Sequence, residues 1–426
     1  MSESPRRVAI VSAVDPYPSD SGKSVVLAGF LRHLRARVGA SNVHYIHMGE
    51  PIDDLEPFEG VVVYEAGRPL PTERVRAVVL EAGVRRRSLQ ETFMSSPSVG
   101  ARVQELLASI DPDLQIIDTV RMLQHVGPEP TRGRRVLYLD DLFSVRYRRM
   151  LDMLARGGAE SSFDPLGQFA KNIPARMRGL TRQPLTRKAL LRLEANRIER
   201  AEHTAARRAE VSVLLNDAEG AQLRAATGAD VRVVPPWVPQ RPTADHGWDG
   251  RPEFVFAGLL SLPHNHDGLM WFLREGLPVL LQQRPDARLH VVGRGASTVL
   301  TDAAAAYGDR VVVHGFVPDL DEAMMSRAAL INTLRFGSGV KIKTLDALAR
   351  GVPIVATEFG AEGITATSRP GLTIVSDAAE AGRVLAGLCD PAERQRHSEG
   401  ARAFYQEKFS QEAVMAAYDG VFGTSP

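Results

Sequence analysis

Two short apolar runs, Ala329-Leu-Ile-Asn332 and Pro353-Ile-Val-Ala356, enclose the stretch Arg335-Phe-Gly-Ser-Gly-Val-Lys-Ile-Lys-Thr-Leu-Asp-Ala-Leu-Ala-Arg350-Gly351-Val352. Ser338 is a good helix N-cap, Gly351 suits the left-handed residue after a helix, and Pro353 blocks continuation, so the spacing predicts a helix of about three turns between two strands. Ile342, Leu345 and Ala349 form its apolar face, and Gly339, Lys343, Asp346 and Arg350 the opposite one. A strand, a helix and a second strand in that order make a parallel crossover unit. This pattern sets the fold class as α/β with parallel sheets.

The same alternation runs outward in both directions. Towards the C-terminus, helical segments cover 393–406 and 411–422. Upstream, strands are expected at 254–257, 289–292 and 311–314, with a helix over 267–283. The first half repeats the pattern, with strands at 8–12, 43–46, 114–117, 136–139, 211–214 and 231–234 and helices at 24–37 and 99–109. Between the halves, Pro235-Pro-Trp-Val-Pro239, Pro242 and Gly247 to Pro252 are poor in regular-structure formers and read as a hinge. The expected organisation is an N-terminal α/β domain over 1–240, a hinge over 241–252, a second α/β domain over 253–408 and a C-terminal helix over 409–426.

With 426 residues, 44% of them apolar, the chain is long enough for two cores. Lys plus Arg number 52 and Asp plus Glu 51, so no global charge favours nucleic acid. The single cysteine, Cys389, excludes an internal disulfide and a zinc ribbon. No apolar stretch reaches the roughly 20 residues needed to cross a bilayer, and a cytoplasmic protein is expected. One segment departs from neutrality: residues 171–208 hold 11 basic and three acidic residues, a net charge of +8. Apolar residues from Phe169 to Ile198 recur there at helical spacing. A basic amphipathic helix of this kind either rests on an anionic membrane surface, at its inner face, or is a solvated helix of the first domain.

Chemistry-bearing residues gather in a few places. The loop Asp15 to Ser24 joins a strand to a helix and ends Gly22-Lys23-Ser24, an arrangement that directs backbone N–H groups at an anion. A true P-loop needs glycine where Tyr17 stands, which disfavours a phosphohydrolase. The glycine-rich start at Ser338 and Gly339, with Lys341 and Lys343, is a second anion-directed feature; its alternative is a surface Lys–Asp pair. Asp140 and Asp141 follow a strand and either orient an acceptor hydroxyl or are plain loop residues. His264 and Asn265 lie in a turn that either contacts a ligand or is solvated. The histidines show no metal-ligand spacing, so neither a metal nor a cofactor is expected.

The run Gly337 to Thr357, with Gly360-Ala-Glu-Gly363, resembles the donor-site helix of retaining GT-B glycosyltransferases of family 4 (group 1), in the form carried by an exopolysaccharide-type branch. The resemblance extends in order through Pro16-Tyr-Pro18 with Gly22, Pro263-His-Asn265 with Trp271-Phe272, Val291-Val-Gly-Arg-Gly295, Val313-His-Gly-Phe316, and Phe404-Tyr405 to Phe409-Ser410. It implies two facing Rossmann-like domains, a C-terminal helix returning to the first, and transfer of a sugar from a UDP- or GDP-sugar to a hydroxyl acceptor on a glycan, glycolipid or secondary metabolite. By the same resemblance the donor-binding candidates are Gly22, Lys23, Gly293, Gly315, Phe316, Val317, Ser338, Gly339, Val340 and Asp346. Asp346 takes the place of a ribose-binding Glu, and Gly315 to Val317 line the base. Catalytic candidates are Lys343, Lys341, Asp140 and Asp141. The chain departs from the pattern at Ser338, where an acid is usual, and at Leu259, where an Arg is usual. Lys343 and Lys341 are the available replacements for the lost cation, while the lost acid leaves a non-enzymatic sugar-nucleotide-binding protein as the alternative.

Overall fold

The computed structural model describes residues 4–19, 22–70, 72–73, 77, 80–81, 85–130, 132–155, 184–239 and 247–424. They form two compact units. The first runs to Trp237 and resumes at Val414; the second runs from Val238 to Ala413. The first division lies inside the Pro235–Pro239 run.

Unit 1 holds a seven-stranded sheet of order β3-β2-β1-β4-β5-β6-β7, all pairs parallel. Its strands are β1 Val8–Ser12, β2 Val43–His47, β3 Val62–Glu65, β4 Leu114–Asp118, β5 Arg134–Asp140, β6 Val211–Leu214 and β7 Val231–Val233. Every residue of β1 and β4 is buried, as parallel strands covered on both faces require. Helix α1, Gly22–Val38, connects β1 to β2, and its Phe30 meets Tyr418 and Phe422 edge-on at 5.0 and 5.1 Å. Those two rings fix the C-terminal part of the chain within this unit.

Unit 2 holds a six-stranded parallel sheet of order β10-β9-β8-β11-β12-β13. The strands are β8 Glu253–Ala257, β9 Arg288–Val292, β10 Val311–Gly315, β11 Ala329–Asn332, β12 Ile354–Ala356 and β13 Leu372–Ile374. The fold class is therefore the expected one. The edge strands β3 and β13 escape a reading from sequence because they are short and only partly buried. The helix expected over 267–283 starts at Pro263 and runs to Gln283 through a π-helical turn at Phe272–Gly276.

Two expectations need correction. Helix α4, the glycine-led one, spans Ile342–Arg350, with Lys341 rather than Ser338 at its N-cap. Gly337 at φ 140° and Gly339 at φ 73° hold non-helical angles, which makes Ser338 to Val340 a loop. The second correction concerns the basic segment, of which 169–183 lies outside the described residues. The rest is part of the helix Pro184–Arg208, called α3. Its apolar stripe of Leu191, Ala195, Ile198, Ala205 and Ala206 is core, at most 2% exposed. Arg192, Arg200, Arg207 and Arg208 are exposed on the other side. A helix that rests on a membrane must present its apolar face, and this face is already covered.

The buried face of α3 also carries two acids, each at the start of another helix. Glu194 accepts the N–H groups of Leu89 and Gln90 at 2.8 and 3.2 Å. Glu202 accepts from the backbone N–H and hydroxyl of Ser144 at 3.3 and 2.5 Å, at the first turn of α2, Phe143–Ala155. Burial raises Glu194 to about 7 and Glu202 to about 8, against the opposing pull of these hydrogen bonds. Between the ordinary carboxyl range and pH 8 the folded chain keeps a proton on Glu202 that the unfolded chain has lost, so stability falls as pH rises through that window. Glu202→Gln preserves the acceptor and removes the titration. Relative to wild type it is expected to gain up to about 1.4 kcal/mol per pH unit between pH 5 and 8, measured by urea unfolding at both pH values.

Candidate functional site

In an open parallel sheet, neighbouring strands whose connections leave in opposite directions open a crevice at their carboxyl ends. Strand order places one such crevice between β1 and β4 and another between β8 and β11. A lysine stands at each.

In unit 1 the Lys23 ammonium lies 2.6 Å from Asp118 Oδ1, and the Ser12 hydroxyl donates to Asp118 Oδ2 at 2.7 Å. Two neighbouring strand ends carry non-glycine residues in the left-handed region, Thr119 at φ 67° and Asp140 at φ 70°. Such angles cost about 1–3 kcal/mol each and persist where surrounding contacts enforce them. The Tyr138 hydroxyl donates to Asp140 Oδ1 at 2.8 Å, and burial raises the Asp140 carboxyl against the pull of Lys23. Asp141 does not share this role. Its carboxylate is buried and forked by Arg146, with Oδ1 and Oδ2 each 2.7 Å from Nη2, so it anchors the first turn of α2 instead of facing a ligand. Gly22 is the exposed first residue of α1.

In unit 2, Lys343 sits in the first turn of α4. Its ammonium donates to Asn265 Oδ1 at 2.8 Å and lies 4.6 Å from the centroid of the Phe256 ring. The Asn265 amide donates in turn to the Leu259 carbonyl at 3.0 Å, which fixes which end of the amide meets the lysine. Gly258, between them, has φ 156°, and a Cβ there would lie 2.9 Å from Asn265 Nδ2. Burial, and secondly the charge of Lys341, push the Lys343 ammonium down to about 7.

The other candidates divide into those that build the crevice and those that face outward. Lys341 is turned inward: it donates to the carbonyls of Ser338 at 2.6 Å and Gly339 at 2.8 Å and lies 3.9 Å from Glu362. It shapes the loop rather than offering a free cation, contrary to the catalytic role expected for it. Val340 packs against Gly363. Asp346 pairs with Arg350 at 3.0 Å, not with Lys343, and Arg350 also donates to Asp321 at 2.7 Å. Gly293 donates its N–H to the Gly315 carbonyl at 2.7 Å, and a Cβ on Gly293 would fall 1.7 Å from the Gly258 carbonyl oxygen, so only glycine fits. Beyond Gly315, Phe316 is 61% exposed with the Arg294 guanidinium 4.0 Å from its ring centroid, and Val317 is half-buried. His264 meets Phe336 edge-on. No cluster of three or more metal-ligating side chains occurs among the described residues, nor any helix there long and apolar enough to cross a membrane.

The decisive difference between the crevices is charge. Lys23 rests on a carboxylate, so its charge is balanced. Lys343 rests on a neutral amide, and the charge that acts on it is that of another lysine, Lys341. An ammonium in that position attracts an anion.

Residues 251–389 match the family model described as Glycosyl transferases group 1. The match falls within unit 2. An uncharacterized 44.6 kDa protein in the cps region of Klebsiella pneumoniae is 31% identical over 130 residues, which is 29% of this chain; the chain spans about a third of that relative's length, 33%. Among solved structures, Staphylococcus aureus TarM, in complex with fondaparinux, alpha-GlcNAc-glycerol and UDP, has a TM-score of 0.63 at 7% identity, covering 98% of this chain and 99% of its own. Anabaena HepE in complex with UDP has a TM-score of 0.62 at 14% identity, covering 98% and 100%. At these identities the likeness is one of fold, and it is the GT-B type of two parallel sheets.

Asp118, Arg146 and Glu362 are the site residues that reading from sequence missed. Asp118 directly follows an expected strand, and Glu362 lies in the Gly360 to Gly363 run, so both were in view; their partners, 95 and 21 positions away, were not.

Lys343 also has a stability consequence. Between pH 7 and the ordinary lysine range, the unfolded chain holds a proton that the folded chain lacks, so stability rises with pH across that interval. Lys343→Met is expected to be more stable than wild type at pH 6.5, with the gap closing by pH 10, measured by urea midpoints.

Proposed function

We propose that the protein is a retaining glycosyltransferase that moves a hexosyl group from a UDP- or GDP-sugar to a hydroxyl of a surface glycan or glycolipid. The observation that carries this reading is the uncompensated Lys343 ammonium at the crevice of the unit that matches the group 1 family. The complexes of TarM and HepE with UDP, and the cps-region setting of the Klebsiella relative, support the substrate class.

On this reading the diphosphate lies against Lys343. Negative charge on it grows as the sugar bond breaks, so a fixed cation there stabilises the transition state more than the bound donor. The first turn of α4 contributes the positive end of its dipole to the same place. Ser338 supplies no carboxylate, so no enzyme nucleophile stands in this loop. Retention then follows a route in which the departing diphosphate itself takes the proton of the incoming hydroxyl on the same face. Asp140, held by Tyr138, is the candidate in unit 1 for an acceptor hydroxyl. Exposed Phe316 with Arg294 above it is an apolar surface suited to a nucleobase. The loss of acid and Arg at Ser338 and Leu259 favours a second reading, a protein that binds the nucleotide sugar without turning it over.

Release of UDP from UDP-glucose, or of GDP from GDP-mannose, separates the two. Lys343→Ala is expected to lower kcat by about 10²–10³ with a smaller effect on donor affinity. Turnover unchanged at saturating donor would remove Lys343 from the mechanism, and binding without release in wild type would establish the second reading.

A further inference from the structure

Glu362 has no part in the reading above, yet its side chain lies against the loop on which that reading depends. The Lys341–Glu362 pair is 9% and 10% exposed. The turn that carries Glu362 is fixed at both ends. The Gly360 carbonyl accepts from Asn332 Nδ2 at 3.0 Å and from the Thr344 hydroxyl at 2.8 Å, which ties the turn to β11 and to the first turn of α4. A Cβ on Gly360 would lie 2.0 Å from the Asn332 carbonyl oxygen. Gly363, at φ 76°, lies so close to Val340 that a Cβ would be 2.5 Å from its side chain.

Lys341 then determines which way the loop faces. Its ammonium draws the carbonyls of Ser338 and Gly339 to one side. Both peptide bonds are trans, since the single cis bond of the described chain is Tyr17–Pro18. In a trans peptide the N–H points opposite to the C=O. The N–H groups of Gly339 and Val340 are therefore turned away from Lys341, at the threshold of α4. Two successive N–H groups on one side of a loop form an anion-receiving concavity.

We infer that Glu362 is a positioning residue: by holding and neutralising Lys341 it sets the Ser338–Val340 loop with its N–H groups outward and leaves Lys343 as the cation that meets the donor diphosphate. This rests on the function proposed above. The proposed effect is electrostatic as well as steric: the charge of Lys341 lowers the Lys343 ammonium, and Glu362 is the carboxylate 3.9 Å from Lys341. The other ionisable groups on the elements packed here are Asp346, paired with Arg350, and His264, His266 and Asp267, the last 3.6 Å from Arg335.

The test is UDP binding by calorimetry from pH 6 to 9 for wild type, Glu362→Gln, Glu362→Asp, Lys341→Met and Lys343→Ala. Glu362→Gln is expected to weaken UDP on the order of tenfold and to move the midpoint of its pH dependence to lower pH, because an unbalanced Lys341 depresses Lys343 further. Glu362→Asp is expected to restore most of the affinity. Lys341→Met is expected to weaken UDP too but to move the midpoint to higher pH, a reversal of sign that loosened packing does not produce. If Glu362→Gln fails to fold, the upward shift in Lys341→Met carries the test alone. Wild-type affinity and midpoint in Glu362→Gln, or no upward shift in Lys341→Met, would overturn the inference. If Lys343→Ala weakens UDP in that case, the proposed function stands; if Lys343→Ala binds UDP as wild type does, the functional reading itself fails.

Discussion

An ammonium held on a neutral amide is the interaction on which the arrangement of unit 2 depends. Lys343 has Asn265 and the face of Phe256 for company, with no carboxylate paired to it among the described residues. Burying a charge in this way is unfavourable, and the structure tolerates it by letting the ammonium drift towards neutrality near pH 7. An incoming diphosphate would reverse that drift by supplying the missing negative charge. Lys23, the corresponding lysine of unit 1, is the contrast: a carboxylate 2.6 Å away satisfies it, and an anion would have to displace Asp118 to gain it.

The surroundings of Lys343 follow from keeping that ammonium in place. Gly258 is required because a side chain would collide with the Asn265 amide, and Gly293 because one would strike the Gly258 carbonyl. The carboxyl ends of β8 and β9 are thus packed backbone to backbone. On the other side, Asn332, Thr344 and Gly360 bind β11, α4 and the following turn into one hydrogen-bonded knot. The loop between Gly337 and Lys341 hangs from these fixed points. Its conformation comes from two glycines at positive φ and one buried lysine, with no helical propensity of its own.

Parallel strands were legible because strands buried on both faces must be continuously apolar; Val8–Ser12 and Phe254–Ala257 could be little else. The fold class followed from their alternation with helices. The start of α4 was misread because Ser338 has the chemistry of a cap, whereas the angles of its glycine neighbours appear only in the folded chain. The basic segment left two readings open for a deeper reason. A helix with one apolar and one cationic face has the same pattern whether a core or a membrane covers it, and only the contacts of Leu191 and Ile198 tell them apart. Within the site, helical spacing alone put Lys343 on the face opposite Ile342, Leu345 and Ala349. Lys341 turns to the Ser338 and Gly339 carbonyls beside Glu362, and Lys23 rests on Asp118; neither acid is predictable as a neighbour from local spacing.

The central claim is that Lys343 is the anion's partner and is largely deprotonated above pH 7 until the anion arrives. Proton exchange on binding measures this directly. UDP binding at pH 8, where its terminal phosphate is already fully ionised, can be followed by calorimetry in buffers of different ionisation enthalpy. The account requires an uptake of about one proton per UDP in the wild-type protein and close to none in Lys343→Met. Binding of UDP by the wild-type protein with no proton uptake at pH 8 would contradict it.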